Sequence, residues 1–338
     1  MENNILILHH DDRDGFMSAA VISNYLESKR IFKDTGSRIY TRSINYEQSL
    51  KEIFDDCLKK LRDENGESSD FASVYLVDYS ISTDQNIKTM IDLDENYNLI
   101  WLDHHKSSIV AMDKNEKLKR IKGMRIIGIS GAGLCWLYYS NKLDQVFDML
   151  IQYDGTFKEV SSELALTILE TVDTPRFVLY THRYDIFDLD DQVLQFNYGY
   201  NTLNVAQMKI DIGDETFFDM YLKNGSIIKR YVDEQNKKLV KGFAVEVEYN
   251  DGSKTLKGLA MNNLVFTSLV YGDTINDYDF VVTYARKKNC WRCSIYTAKD
   301  NLDVSVIANK YNGGGHAKAA GFTTDKPLYE LKGWKFKN

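Results

Sequence analysis

Short apolar runs that alternate with helical patterns constrain the N-terminal part of this chain more than any other feature. The runs occupy residues 5–8, 74–77 and 99–102, residues 124–127 resemble a fourth strand, and residues 15–28 place apolar side chains at helical spacing. Short strands without polar interruption are typical of a parallel sheet that is covered by helices on both faces. The sequence therefore predicts an α/β fold with a parallel sheet flanked by helices.

Aspartates and histidines follow three of the four predicted strands. Residues 9–12 read His-His-Asp-Asp, Asp78 ends the second run, and residues 103–105 read Asp-His-His. Ligands of such sheets bind beyond the carboxyl ends of the strands. Carboxylates that meet there repel one another unless their side chains diverge or a cation neutralises them. A mixture of imidazole and carboxylate groups suits Mn²⁺, Mg²⁺, Fe²⁺ or Zn²⁺, so we expect this edge of the sheet to bind metal.

Four motifs in order carry a resemblance to a known family. They are His10-x-Asp12-x-Asp14-Gly15, Asp78, Asp103-His104-His105, and Gly313-Gly314-Gly315-His316-x-x-Ala319-Ala320-Gly321. Over nearly its whole length the chain resembles the DHH phosphoesterases, in the branch with a C-terminal DHHA1 domain. The resemblance implies a DHH domain at residues 1–205 and a smaller α/β DHHA1 domain at residues 242–338. A helical pattern between them predicts a connector at residues 206–241.

The resemblance also implies a two-metal site, with Mn²⁺ as the expected ion and Mg²⁺ as the alternative. The first ion would be held by His10, Asp12 and Asp78, and the second by Asp14, Asp78 and His104. An aspartate of a fourth motif would complete the second site. For this place Asp185 is preferred to Asp154, which makes residues 141–172 an insertion. His105 would face the scissile phosphate, and Asp103 would orient the two histidines.

The glycine-rich motif near the C terminus is the expected substrate-binding element. Its residues Gly313, Gly314, Gly315 and His316 would grip the far end of the substrate, because glycines let a phosphate or a base approach the backbone. Many family members carry an arginine in the preceding strand, at the place where this chain has Tyr296. A tyrosine can stack on a base or donate one hydrogen bond, but it lacks the guanidinium charge. Arg292 and Lys318 are candidates to supply that charge.

The charge balance narrows the substrate class. With 42 Lys and Arg against 49 Asp and Glu, the net charge of -7 disfavours a binder of long duplex DNA. We therefore expect an exonuclease that degrades short single-stranded oligonucleotides or dinucleotides to nucleoside monophosphates. The alternatives are hydrolysis of linear or cyclic dinucleotides, of a bisphosphorylated nucleotide or of polyphosphate. A catalytically silent nucleotide-binding regulatory protein is the alternative from another class.

Several further expectations concern single features. No apolar run reaches the ~18 residues of a membrane span, so we expect a cytoplasmic protein with no membrane partner.

Cys290 and Cys293 form a lone CxxC in a strand-like run at 280–296, and this arrangement predicts a poor zinc site. His182 is predicted to lie on the surface, and residues 216–241 to form two helical pieces around Asn224-Gly225. The oligomeric state stays open, with a homodimer among the alternatives.

Overall fold

A computed structural model divides the chain into two compact units, Met1–Ile228 and Lys229–Asn338. It describes residues 4–29, 37–46, 48–81, 83–140, 144, 146, 159–200, 203–250, 252 and 254–337. Among these residues, no helix combines the length and the apolar character that are needed to cross a bilayer.

The first unit contains a five-stranded parallel sheet in the order β2-β1-β3-β4-β5. Its strands are β1 Asn4–His10, β2 Ile39–Ile44, β3 Phe71–Val77, β4 Asn98–Asp103 and β5 Lys122–Arg125. The predicted parallel sheet is therefore confirmed. The sequence did not reveal β2, because this edge strand carries the exposed polar residues Thr41 and Arg42 and has no continuous apolar run.

Helices cover both faces of this sheet. They are α1 Arg13–Ser28, α2 Leu50–Asn65, α3 Asp84–Asn96, α4 Lys106–Asp113, α5 Glu116–Arg120, α6 Gly131–Tyr139, α7 Ser162–Thr171, α8 Arg176–Asp185, α9 Asp191–Tyr200 and α10 Val205–Gly213. Along β1, Ile5 and Ile7 enter one hydrophobic core, whereas Leu6 and Leu8 enter a second core on the opposite face. Successive strand residues point to opposite faces, so burial of both faces explains the continuous apolar runs.

The second unit contains a mixed seven-stranded sheet in the order β10-β11-β9-β8-β7-β6-β12. The strands are β6 Val245–Asn250, β7 Thr255–Asn262, β8 Phe280–Lys287, β9 Cys290–Tyr296, β10 Gly314–Gly315, β11 Ala319–Thr324 and β12 Trp334–Phe336, and the short helix α12 spans Ser305–Asn309. The strand-like run at 280–296 is a hairpin of β8 and β9 with Lys288 at positive φ in its turn. Cys293 lies in the core of this unit, and no candidate metal group of the described residues includes a cysteine.

The prediction of two helical pieces around Asn224-Gly225 is wrong. Residues Phe218–Phe243 form one continuous helix, α11, and the division between the two units falls within it. A Cβ on Gly225 would lie 1.7 Å from the carbonyl oxygen of Gln195, and one on Gly199 would lie 2.0 Å from that of Tyr221. Gly225 therefore allows the backbones of α9 and α11 to touch, and it does not end the helix.

This contact predicts different effects for two substitutions in the same helix. Gly225→Ala should destabilise the first unit by about 1–3 kcal/mol or more, because its Cβ has no room beside the Gln195 backbone. Gly242→Ala is the matched control, since nothing lies within 4 Å of its Cβ and alanine favours helix by up to about 1 kcal/mol. Urea unfolding of both variants measures the difference. Equal stability of the two variants would contradict the close contact between α9 and α11.

Candidate metal centre

The loop after β1 holds the first two candidate ligands side by side. Asp12 caps helix α1, because its Oδ1 accepts the backbone N–H of Gly15 at 2.9 Å. Its Oδ2 lies 2.7 Å from Nδ1 of His10. Burial opposes ionisation of this carboxyl, but the hydrogen bond and the charge of His10, together with the backbone N–H of Gly15, outweigh it and lower the pKa of Asp12 to about 2. Asp12 therefore presents a charged carboxylate next to an imidazole.

Asp14 lies in the first turn of α1 and is held by another helix. Its two carboxylate oxygens accept the backbone N–H groups of Gly131 at 2.6 Å and Ala132 at 2.9 Å, which open helix α6. The positive end of a helix dipole stabilises a carboxylate in this position. Burial nevertheless raises the pKa of Asp14. The residue is 4% exposed, so its carboxylate is almost completely shielded from water.

Asp78 lies at the centre of the candidate ligands. It follows β3 with a φ of 51°, and its backbone N–H donates to the carbonyl of Leu102 at 2.9 Å. Its Oδ1 is 3.1 Å from Nε2 of His104, whereas its Oδ2 is buried without a hydrogen-bond partner. Burial and then the neighbouring carboxylate of Asp14 raise the pKa of Asp78 well above its usual range. A buried carboxylate oxygen without a donor is suited to a cation.

The end of β4 supplies an aspartate and two histidines. Oδ1 of Asp103 accepts the backbone N–H of His104 at 2.9 Å and lies 2.7 Å from Nδ1 of His105. Burial of Asp103 opposes its ionisation, but the adjacent His105 holds the pKa of this carboxyl below its usual value. Asp103 therefore contacts the imidazole of His105 and the backbone of His104, and its role in orienting both histidines stays a prediction.

The last turn of helix α8 brings Asp185 to the same edge of the sheet. Its Oδ2 lies 3.7 Å from Nδ1 of His104, and burial raises its pKa well above the usual range, with the carboxylate of Asp14 as the next cause. Asp154 lies outside the described residues. The structure thus places Asp185 among the candidate ligands, and its role as the fourth-motif ligand stays a prediction.

Three overlapping groups of these side chains could each hold a metal ion. In each group one donor atom per residue lies within 4.8 Å of the others; the groups are His10-Asp12-Asp78, Asp14-His104-Asp185 and Asp78-His104-His105. These groups contain seven residues, and we call six of them, His10, Asp12, Asp14, Asp78, His104 and Asp185, the candidate centre; the seventh, His105, is the residue expected to face the scissile phosphate. Its imidazole nitrogens and carboxylate oxygens, together with the unpartnered Oδ2 of Asp78, fit divalent cations.

The prediction that His182 lies on the surface is wrong. This residue is fully buried, and its Nδ1 accepts the backbone N–H of Ser130 at 3.2 Å. Burial, followed by the charge of His104, lowers the pKa of His182 to about 3, so the ring is neutral. His182 precedes Asp185 by one turn on the same helix face, and this spacing is the signal that could have placed it inside.

Gly131 is a supporting residue that no sequence motif revealed. A Cβ at this position would lie 2.6 Å from Cβ of Asp78 and 2.9 Å from the hydroxyl of Ser18. The first residue of α6 is therefore packed directly against the central carboxylate. A side chain at position 131 would displace Asp78.

The predicted substrate-binding residues lie together in the second unit. Strand β10 pairs with β11, and the backbone N–H of His316 donates to the carbonyl of Ala319 at 2.8 Å to form a tight turn. Tyr296 is half-buried on β9 and pairs with Ala319. Of the two candidate cations, Lys318 forms an ion pair with Asp300 at 2.7 Å, and Arg292 lies over the ring of Phe266.

Comparisons with known proteins identify the fold. No protein-family model matches the chain. It is 24% identical over 324 residues to the uncharacterised protein R106 of Acanthamoeba polyphaga mimivirus, a match that covers 94% of this chain and 66% of the relative. A stretch of 55 residues is 44% identical to the oligoribonuclease NrnB of Bacillus subtilis, covering 16% of this chain and 13% of NrnB. The chain thus spans less than two thirds of the length of both relatives.

Superposition on a solved structure identifies the fold of this chain. The DHH domain of a protein from a family of ribosomal proteins superposes with a TM-score of 0.59 at 14% identity, covering 95% of this chain and 82% of that one. The chain has the DHH-domain fold. The predicted resemblance and the α/β fold class are thereby confirmed.

The raised carboxylate pKa values of this DHH-fold chain predict a metal-dependent stability. A raised pKa in the folded state means that stability is lost as the pH rises through that pKa, because the folded protein disfavours the ionised form. Without metal at about pH 7.5, Asp78→Asn removes one such ionisation, so the variant should melt a few degrees higher than the wild type. The gain should shrink towards pH 4. Added Mn²⁺ should raise the melting temperature of the wild type and have little effect on the variant.

Melting curves in EDTA and in Mn²⁺ measure this contrast directly. If Asp78→Asn melts below the wild type in EDTA, the ionised Asp78 stabilises the metal-free fold, and this result would contradict the prediction.

The close packing of Gly131 predicts a second effect on metal binding. Gly131→Ala should weaken Mn²⁺ binding by about 10- to 100-fold, because its Cβ pushes Asp78 away from the candidate centre. Gly133→Ala, two residues further along α6, is the control, since its Cβ meets the flexible side chains of Ile129 and Leu169. Calorimetric titration with Mn²⁺ compares them. Equal affinities would mean that the position of Asp78 does not depend on Gly131.

Proposed function

We propose that the chain is a metal-dependent phosphodiesterase that degrades short single-stranded oligonucleotides to nucleoside monophosphates. The convergence of six ligand-type side chains at the carboxyl edge of the sheet, around the unpartnered Oδ2 of Asp78, supports this proposal most. The DHH-domain fold is a second support, since the motif residues His10, Asp12, Asp14, Asp78 and His104 are among the side chains that converge.

The residues of the candidate centre divide into two proposed ligand sets. His10, Asp12 and Asp78 hold one cation, and Asp14, Asp78, His104 and Asp185 hold the other. Two divalent cations, Mn²⁺ in this proposal, supply Lewis-acid charge for the phosphoryl group and activate water at neutral pH. Asp78 is the residue common to both sets, in keeping with its position between His10, Asp12 and His104.

Asp103 and His105 act on the substrate side of the candidate centre. The hydrogen bond from His105 to Asp103 holds Nδ1 of the imidazole, and Nε2, on the other side of the ring, lies 3.3 Å from the hydroxyl oxygen of Tyr46. In the protonated ring Nε2 carries a hydrogen, which it would donate to a phosphoryl oxygen of the scissile bond. Asp103 itself is fully buried and does not reach the substrate.

The proposed substrate class is supported by the groups that the second unit offers to a nucleotide and by the similarity to one relative. Gly313, Gly314, Gly315 and His316 offer an exposed backbone turn, and Tyr296 offers a ring for a base. The short match to an oligoribonuclease is consistent with RNA fragments as substrates. The net charge of -7 favours short strands over long duplexes.

A parallel assay tests the proposed function. Wild-type protein with Mn²⁺ is incubated with a labelled RNA 5-mer, a linear dinucleotide, a cyclic dinucleotide and polyphosphate. We expect stepwise release of mononucleotides from the 5-mer, and loss of at least about 100-fold of that rate in Asp78→Asn, which removes the shared ligand. Cleavage of polyphosphate or a dinucleotide without cleavage of the 5-mer would contradict the proposed substrate. Silence on all four would support the nucleotide-binding alternative.

A further inference from the structure

Tyr46 is an aromatic residue outside every motif that nevertheless contacts two histidines of the site. It follows the edge strand β2, and its hydroxyl oxygen lies 3.3 Å from Nε2 of His105. Its ring centroid is 4.6 Å from that of His10. On another side the ring stacks on Tyr79 at 5.3 Å with an interplanar angle of 28°, and Tyr79 is 1% exposed. A buried aromatic residue thus supports the Tyr46 ring.

The hydrogen bonds around His105 define the direction of the Tyr46 contact. Oδ1 of Asp103 accepts the backbone N–H of His104, so this oxygen is an acceptor and Nδ1 of His105 must carry the hydrogen of their 2.7 Å bond. In the neutral ring Nε2 is then an acceptor. The hydroxyl of Tyr46 donates to it. Tyr46, His105 and Asp103 therefore form a hydrogen-bonded chain that holds both nitrogens of one imidazole.

The exposure of Tyr46 argues for a role at the site. The residue is 51% exposed, so about half of its surface stays accessible although its ring packs on His10 and Tyr79. By contrast, Tyr40 on β2 is half-buried, and its hydroxyl accepts a hydrogen bond from Asn65 at 3.3 Å. An exposed ring that packs on a candidate ligand and bonds to the neighbouring histidine is placed to affect the reaction.

Resting on the proposed function, we propose that Tyr46 is a positioning residue of the phosphodiester reaction. Its hydroxyl fixes the second nitrogen of the His105 imidazole, and its ring, supported by Tyr79, packs against His10. An imidazole with a hydrogen bond at only one nitrogen can still tilt about that hydrogen bond. An imidazole with hydrogen bonds at both nitrogens keeps one orientation of its ring plane. Correct placement of reacting groups affects the rate of the chemical step more than substrate binding.

A variant that loses only the Tyr46 hydroxyl distinguishes a role in positioning His105 from a role in stabilising the fold. Tyr46→Phe keeps the ring against His10 and Tyr79 and should lower kcat on the RNA 5-mer by about 3- to 10-fold, the equivalent of one hydrogen bond. KM and the affinity for Mn²⁺ should stay unchanged. Tyr40→Phe, which removes a hydroxyl from β2 away from the site, should leave kcat unchanged.

Imidazole ¹⁵N NMR of the metal-free protein gives a readout that does not depend on activity. We expect the Nε2 resonance of His105 to shift in Tyr46→Phe and to stay in place in Tyr40→Phe. An unchanged kcat and an unchanged resonance would overturn the proposal, as would a loss of Mn²⁺ affinity equal to the loss of kcat. A wild-type protein that cleaves none of the substrates would contradict the proposed function, and the resonance would then still decide whether the Tyr46–His105 bond exists.

Discussion

Repulsion between buried carboxylates at one edge of the parallel sheet is the constraint on which the rest of this structure depends. Asp14, Asp78 and Asp103 are 4%, 1% and 0% exposed, and they meet beyond the carboxyl ends of β1, β3 and β4. Burial of ionised carboxylates costs free energy unless donors or cations compensate them. The fold provides donors for both oxygens of Asp14 and for Oδ1 of Asp103, and it leaves Oδ2 of Asp78, at the centre of the cluster, and Oδ2 of Asp103 without a hydrogen-bond partner.

Different groups of the protein compensate the buried charge of each carboxylate. The opening amides of α6 hold Asp14, and the ring of His105 holds Asp103. A further set of contacts supports these: His182 accepts the N–H of Ser130 at the start of α6, and Gly131 leaves room for Asp78. The helix α6 thus determines where two of the carboxylates lie. Cations at Asp78 would complete the charge balance that the protein leaves open.

Local patterns predicted the elements whose burial is uniform. Strands β1, β3 and β4 are visible as apolar runs because helices cover both faces, and the charged clusters mark their ends. The fourth predicted strand, 124–127, overlaps β5 Lys122–Arg125 only in part, because β5 is an edge strand with an exposed lysine. The edge strand β2 was missed because one side of it is exposed. The errors at His182 and Gly225 share one cause: a polar or helix-breaking residue was judged by its neighbours in sequence, whereas contacts with α6 and α9 decide its role. Tyr46 depends on contacts with residues from three other segments, and no local pattern records them.

The central claim is that the candidate centre is a two-cation site shared through Asp78. Anomalous diffraction from crystals grown with Mn²⁺ tests it most directly. The account predicts two peaks about 3.5–4 Å apart, with Asp78 between them, His10 and Asp12 beside one, and His104 and Asp185 beside the other. No peak within reach of Asp78, or ions bound only at other acidic residues, would contradict it.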